Sequence, residues 1–440
     1  MIAGFQQVDL PYGDGAVRLG LPSDRAVVVV EPNDLPGVSH DEAEVRRAMG
    51  EPIGTPPLSA LAEARRSAAI VVDDATRSLP TAAMLRPIVD QLRGAGMGEE
   101  RITVVVATGL HRPLSDDEAR RVLGGLPLRL INHDPHDPAQ LVDLGKTSRG
   151  TPLRVNRTVA QAELRILTGD VELHQFVGYG GGAKSVLPGV CDAEGIRLTH
   201  ARMDSPGAGP GRIDDNPVRL DIEEAADLLG VDFLVNLVLN SRREVVRAVA
   251  GDVHTAFRSG VEIVDRMYKV RVAAPRGYPA DVVICSPGGY PKDIDLYQSQ
   301  KAIRSARRIV RAGGAIIALA ECREGHGSDL AYAWARQARC PQDIIDRHRR
   351  QFVMGGHKAY QLAADVQQAT VYLYSSMPDE IVEAFFLKPL MDLRRAEAIA
   401  AGAGSIVVLP QATLTLPLLP GQEHVDFSSV RTPLETRRPP

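Results

Sequence analysis

Short apolar, β-branched runs that each end in turn-forming or charged residues constrain this chain more than any other feature. AVVVVE at 26–31, AAIVVDD at 68–74, RITVVVATG at 101–109 and ELRILTGD at 163–170 are continuous enough to be buried on both faces, as the strands of a parallel sheet are. Helical stretches separate them, such as TAAMLRPIVDQLRGAG at 81–96. Ser115-Asp116-Asp117-Glu118 has capping-box spacing, and Asn216-Pro217 reads as an N-cap with proline in the first turn. The second half repeats this alternation, and DVVICSPGG at 281–289 runs from a strand into a glycine loop. IDLYQSQKAIRSARRIVRAGG at 294–314 reads as a helix closed by glycine, with AIIALAEC (315–322) and SIVVLP (405–410) as further strands. Strands alternating with helices imply an α/β fold, with largely parallel sheets flanked by helices. The pattern breaks in MYKVRVAAPRGYPA, which predicts two domains, 1–270 and 271–420, and a polar tail over 421–440.

At 440 residues the chain is long enough for two such cores. Its net charge of −4 gives no electrostatic reason to expect nucleic acid as a partner. No window approaches the roughly 18 uninterrupted apolar residues of a membrane span, and the opening MIAGFQQVDLPYGDG lacks the basic start and apolar core of a signal peptide. Cys191, Cys285, Cys322 and Cys340 lie far apart without CxxC spacing, which suits reduced thiols and a cytoplasmic setting. The proline-rich end reads as a tail or as an arm onto another subunit of a homo-oligomer.

Four clusters carry the polar chemistry. Asp73-Asp74-Ala75-Thr76-Arg77 stands at a strand's C-terminal edge, where a guanidinium fork can orient a carboxylate; the same residues also suit an Asx turn. His111, in ATGLHRP at 107–113, follows a strand and precedes a capped helix, a position for a general acid/base or for a local hydrogen bond. The richest stretch is His174-Gln175-Phe176-Val177-Gly178-Tyr179-Gly180-Gly181-Gly182-Ala183-Lys184-Ser185. Its glycine amides can close around an anion, with Lys184 reaching the anion's far end. A P-loop is the competing reading, although Ala183 takes the place of the second glycine. His200 then closes a short helix; one histidine makes a metal site only when a ligand supplies the other donors. In the second half Tyr297, Gln298 and Lys301 share one helix face near the glycine loop GGYPKD.

DDATR, ATGLHRP, H…GYGGGAKSVLPG, His200, NPVRLDIEEA (216–225), AGDVHTAF (250–257), GGYPKDID and YQSQKA occur in one order over about residues 10 to 410. As an ordered set they resemble the lactate racemase family of nickel-pincer 2-hydroxyacid racemases and epimerases. The resemblance implies an isomerase that inverts the carbon bearing a hydroxyl beside a carboxylate, through a 2-keto acid. It implies a nickel pincer nucleotide, a pyridinium mononucleotide with thioamide and thiocarboxylate sulfurs, made by cofactor-synthesis enzymes. By resemblance Lys184 carries the thioamide link, His200 is nickel's protein ligand, and His111 and His174 are the acid/base pair. Arg77, Tyr297, Gln298 and Lys301 would hold the substrate, and Asp74, Gly180, Gly181 and Gly182 would touch the cofactor. The first domain would then bind the cofactor and the second complete the substrate site, in an interdomain cleft. Leu110 departs from the small or polar residue common before the family's histidine. The family spans aliphatic, aryl, dicarboxylic and sugar acids, so the class of substrate is implied and its member is not. A member that only binds cofactor or hydroxy acid is the alternative, against which the pair His111 and His174 speaks.

Overall fold

The computed structural model describes residues 5–77, 79–272 and 278–420. They divide into two compact units: the described residues of 1–33 with those of 268–423, and residues 34–267. The break in the sequence pattern predicts one domain over 1–270; among the described residues, 5–33 cluster with the C-terminal half. The expected 421–440 tail lies outside the described residues. Among the described residues no helix is long and apolar enough to cross a membrane.

In the 34–267 unit six strands lie in the order Val245–Gly251, Phe233–Leu239, Leu164–Asp170, Ala68–Asp73, Ile102–Ala107, Arg129–Asn132. All neighbours are parallel except the hairpin of the first two. One core packs Ile70, Val72, Val104, Val106, Ile166 and Val235 against Val45 and Met49 of the Asp41–Gly50 helix and Leu85 and Ile88 of the Thr81–Gly94 helix. Alternate strand residues thus face one helix layer, as the two-residue period of a strand requires. The Asp116–Leu123 helix opens with the expected capping box, and Asn216 accepts from the amides of Val218 and Arg219 at the start of Pro217–Leu229.

The other unit holds a wholly parallel sheet, ordered Lys388–Pro389, Thr370–Tyr374, Val310–Leu319, Ala280–Cys285, Ser405–Leu409, Ala26–Val29. Val283, Ile316 and Val407 face the core that contains Ile303 and Leu362. Their neighbours Val282, Ile317 and Ile406 face Leu10 and Leu19 of the Phe5–Tyr12/Gly15–Pro22 hairpin. The Ala26–Val29 strand pairs with Ser405–Leu409 from the far end of the chain. The helix expected over 294–314 stops at Arg307, and the next strand begins at Val310 with a register shift against Ala280–Val282.

Candidate functional site

The first strand laid into the 34–267 sheet, Ala68–Asp73, is followed by Ile102–Ala107 on one side and later by Leu164–Asp170 on the other. Loops leaving such a pair of strands diverge, and the crevice beyond their C-terminal ends is where open α/β sheets bind ligands. Asp73, Asp74 and Arg77 leave one of those strands, and Asp170, Glu172 and His174 leave the other. A cavity of about 210 Å³ opens beside Asp73, Asp74 and Arg77.

His111 sits just beyond the third strand end, its amide donating to the Thr108 carbonyl at 2.8 Å. Its Nδ1 lies 2.5 Å from Asp74 Oδ2, while Asp74 Oδ1 accepts from the amide (2.9 Å) and hydroxyl (2.6 Å) of Thr76. Asp74 is buried, which alone would raise its pKa, yet the bonds from His111 and Thr76 hold it below the ordinary carboxylate range. An ionised Asp74 accepts the Nδ1 proton and so leaves His111 Nε2 as a base, on a side chain 61% exposed. Asp74, expected to touch the cofactor, is hydrogen-bonded to His111 and Thr76.

His200 is in the last turn of the Ala193–Ala201 helix, which Asp192 caps. Its Nδ1 lies 2.9 Å from the Ile196 carbonyl. A carbonyl only accepts, so Nδ1 carries the proton and Nε2 the lone pair. Burial first, then the nearby charges of Lys184 and His111, lower its pKa to about 4 against the Ile196 bond. At neutral pH it is an imidazole with a bare Nε2, the form in which histidine binds metals. Phe176 links it to His174, with ring centroids 5.3 Å from His200 and 4.8 Å from His174. The Val177 amide donates to His174 Nδ1 at 3.4 Å, so neutral His174 carries its proton on Nε2. The two imidazoles expected to act as acid and base thus have opposite donor patterns. Among the described residues no group of three or more His, Cys, Asp or Glu is arranged to hold a metal ion.

Lys184 lies in the one-turn Gly182–Ser185 helix, whose Ser185 hydroxyl donates to the Thr168 carbonyl of the neighbouring strand at 3.1 Å. Burial, then the Arg77 guanidinium, pulls its ammonium down to about 7 against the pull of Glu172, Asp73 and Asp170. Only seven of the chain's 51 basic residues are lysines. Where arginine is the commoner cation, a lysine at a strand-end crevice offers what arginine cannot, an amine that loses its proton near neutrality. Arg77 is ion-paired with Glu172, and the charges of Glu172 first, then Asp170, Asp73 and Asp74, raise its pKa.

Two amides of the glycine run are engaged within the chain. Gly180 N donates to the Glu172 carbonyl at 2.8 Å and Gly182 N to Asn236 Oδ1 at 2.8 Å. What the run supplies is space. A Cβ on Gly181 would lie 2.4 Å from the Asp170 carbonyl, and one on Gly182 would lie 2.8 Å from the Phe257 ring. Gly182 also has φ +60, a conformation costing an ordinary residue roughly 1–2 kcal/mol. Adding overpacking of about 1–3 kcal/mol, Gly182→Ala is expected to lose about 3 kcal/mol in urea unfolding; an unchanged midpoint would refute this. A P-loop needs a long helix after its glycines, whereas a single turn follows here and Ser185 is buried.

Tyr297, Gln298 and Lys301 belong to the other unit, in the first turns of the Leu296–Arg307 helix. Asp295 caps that helix through the Gln298 amide at 2.7 Å. Lys358, which the sequence patterns did not single out, is buried with Nζ 4.6 Å from the centre of the Tyr297 ring. Burial, then Lys301 and Arg304, pushes its pKa well below the usual lysine value. Its flag in the sequence is the GGHKAY stretch at 355–360, which opens the Gly356–Gln368 helix. Asp170, Glu172 and Asn236 also escape a sequence reading; Asn236 is a polar residue in an otherwise apolar strand. Cys191, Cys285, Cys322 and Cys340 are all free thiols.

Largely parallel sheets in two α/β units, with a His–Asp pair, a second histidine and a lysine of lowered pKa at one crevice, suit acid–base chemistry better than nucleotide hydrolysis. Residues 12–211 match the lactate racemase N-terminal domain and residues 276–413 the lactate racemase C-terminal domain. The chain is 30% identical over 419 residues to a lactate racemase of Thermoanaerobacterium thermosaccharolyticum, covering 92% of this chain and 97% of that one. It is 28% identical over 347 residues to a lactate racemase of Lactiplantibacillus plantarum, covering 77% and 80%. The solved lactate racemase apoprotein from T. thermosaccharolyticum matches with a TM-score of 0.86 at 29% identity, over 94% of this chain and all (100%) of that one. The chain belongs to the lactate racemase family and is an isomerase of the racemase type.

Proposed function

We propose that this racemase inverts C2 of a 2-hydroxy acid, with lactate, which names its relatives, as the first candidate. The observation that carries the reading is the meeting, at one crevice, of a deprotonable Lys184, a His200 with bare Nε2, and two imidazoles of opposite donor pattern. These residues fit a nickel pincer nucleotide. His200 is a single protein ligand, which suits a metal whose other donors come with the cofactor, and Lys184 is an amine suited to acylation. When bound, that group supplies a carbon that accepts a hydride from C2 and returns it, which avoids building a carbanion beside a carboxylate.

The chain's own residues do the rest. His111 Nε2 takes the hydroxyl proton as C2 is oxidised, and Asp74 stabilises the imidazolium that forms. His174, with its proton on Nε2, serves the opposite hydroxyl orientation. The 2-keto acid needs its carboxylate held while its carbonyl turns. Arg77 is one residue suited to such a contact, and Tyr297, Gln298 and Lys301 are the others that the family resemblance implies. The reading places the protein in the cytoplasm, where cofactor-synthesis enzymes mature it.

A chiral screen of single-enantiomer 2-hydroxy acids on cofactor-loaded protein tests this. At least one acid is expected to reach an equal mixture of enantiomers. Full loading with no inversion of any acid would leave a binding protein and contradict the proposal.

A further inference from the structure

We propose that Asp73 and Asp170 are the proton acceptors for the Lys184 amine when that lysine is acylated, an assignment that rests on reading Lys184 as the cofactor's attachment point. The two carboxylates end the adjacent parallel strands at the switch point of the sheet. Asp73 Oδ2 lies 3.0 Å from the place a Cβ on Gly169 would occupy, so that glycine admits it to the strand bearing Asp170. The Gly182–Ser185 turn, tied by Ser185 to Thr168 and by Gly182 to Asn236, sets Lys184 over the same strand ends.

Among the described residues Asp73 and Asp170 are committed to no ion pair, and both feel the Arg77 guanidinium as well as Lys184. Asp74 is taken by His111 and Thr76, and Glu172 by Arg77. Asp170 is 6% exposed, and its charge interacts with Glu172, Arg77, Arg243 and Lys184. Asp73 interacts with Asp170, Arg77, Asp74 and Lys184. The groups facing Lys184 are thus Arg77, Glu172, Asp73, Asp170 and, across the crevice, His200. Burial first, then Asp170, pushes Asp73 up to about 7; burial first, then Glu172, pushes Asp170 up to about 6. Both carboxylates are shifted up and the Lys184 amine down, which narrows the gap a proton crosses from nitrogen to carboxylate, as acid–base catalysis requires.

The step balances. An alkylammonium and a thiocarboxylate give a thioamide and water: one C–N bond forms and the acyl C–O bond breaks. Two ammonium protons leave with the oxygen, and the sulfur stays. The relay runs twice: each time the ionised carboxylate takes a proton from nitrogen and its protonated neighbour delivers one to the oxygen. The oxygen leaves as water, both its bonds to carbon broken, while the sulfur stays as the C=S of the thioamide and the carboxylate pair returns to its starting state. No oxidant or reductant is required.

Two measurements on the apoprotein test this, neither of them racemase activity. Competitive acetylation of Lys184 with trace acetic anhydride, read by peptide mass spectrometry from pH 5 to 9, is expected to give a midpoint near 7. Asp170→Asn and Asp73→Asn should move it down by about one unit, tenfold in equilibrium constant, because an anion that favours the ammonium is gone. Uptake of the synthesised nickel pincer nucleotide, followed by intact mass, should slow about 100-fold in each variant. The exposed Asp117→Asn control should match wild type, and Asp170→Glu should recover part of the rate. Isosteric Asn variants that melt like wild type yet take up nucleotide at the wild-type rate would overturn the proposal and leave Lys184 as the attachment point. If wild type gains no nucleotide mass while Lys184 still titrates near 7, the attachment reading fails and takes the proposal with it.

Discussion

Lys184→Ala protein mixed with the nickel pincer nucleotide is expected to gain no covalent mass and to racemise no hydroxy acid, a loss of at least about 10⁴-fold. A tethered reactant enjoys an effective concentration that a freely exchanging one lacks, worth on the order of 10⁵ M or more. The amine is placed for this by the Gly182–Ser185 turn and tuned to about 7 by burial and by Arg77. An ordinary lysine near 10.4 is neutral only to about 0.04% at pH 7, so the tuning raises the reactive fraction about a thousandfold. Attachment should accordingly be half-maximal near pH 7 and fall about tenfold per unit below pH 6. Lys184→Arg keeps the charge and should also gain no mass; intact mass spectrometry decides both. A covalent adduct on either variant would show that another residue carries the link.

Asp74→Asn is expected to lower kcat about 10²–10³-fold with little change in KM. The carboxylate fixes which nitrogen of His111 holds the proton and stabilises its charged form, and in comparable dyads loss of that anion costs up to about 10⁴. The partial exposure of His111 argues for a smaller effect here. Asp74's pKa is lowered by folding, so the stability it contributes is fully present above the unfolded value of about 3.9 and is lost as pH falls through the lower folded value. An acid limb of the pH–rate profile above pH 5 therefore belongs to another group. Steady-state kinetics of the variant check this; a wild-type kcat would remove Asp74 from the mechanism.

The strands are legible in the sequence because burial on both faces writes a continuous apolar run, as in Ile102–Ala107 and Leu164–Asp170. Helix starts are legible where a cap sits in the sequence, at Ser115 and Asn216. Chain assignment is not, because parallel pairing leaves no local mark: nothing within AVVV says that its partner is Ser405–Leu409. The helix ending at Arg307 reads too long because Gly313 and Gly314 look like a cap, whereas they lie in a strand with a shifted register. At the site, histidines and lysine beside glycines announce themselves. Asp170 and Glu172 do not, since a carboxylate at a strand end has no spacing motif, and their meaning comes only from Lys184 and Arg77 folding against them. The glycine run is visible but its packing is not: two of its amides are engaged within the chain, and the close approach of Asp170 and Phe257 needs its lack of side chains.

The most direct test follows one atom. Loaded wild-type protein is given a single enantiomer of lactate, or of whichever acid the chiral screen selects, carrying deuterium at C2 in ordinary water. Inversion by hydride removal and return predicts that the opposite enantiomer keeps its deuterium at C2. Loss of that deuterium to solvent at the rate of inversion would mean that C2 gives up a proton instead, and would contradict the account.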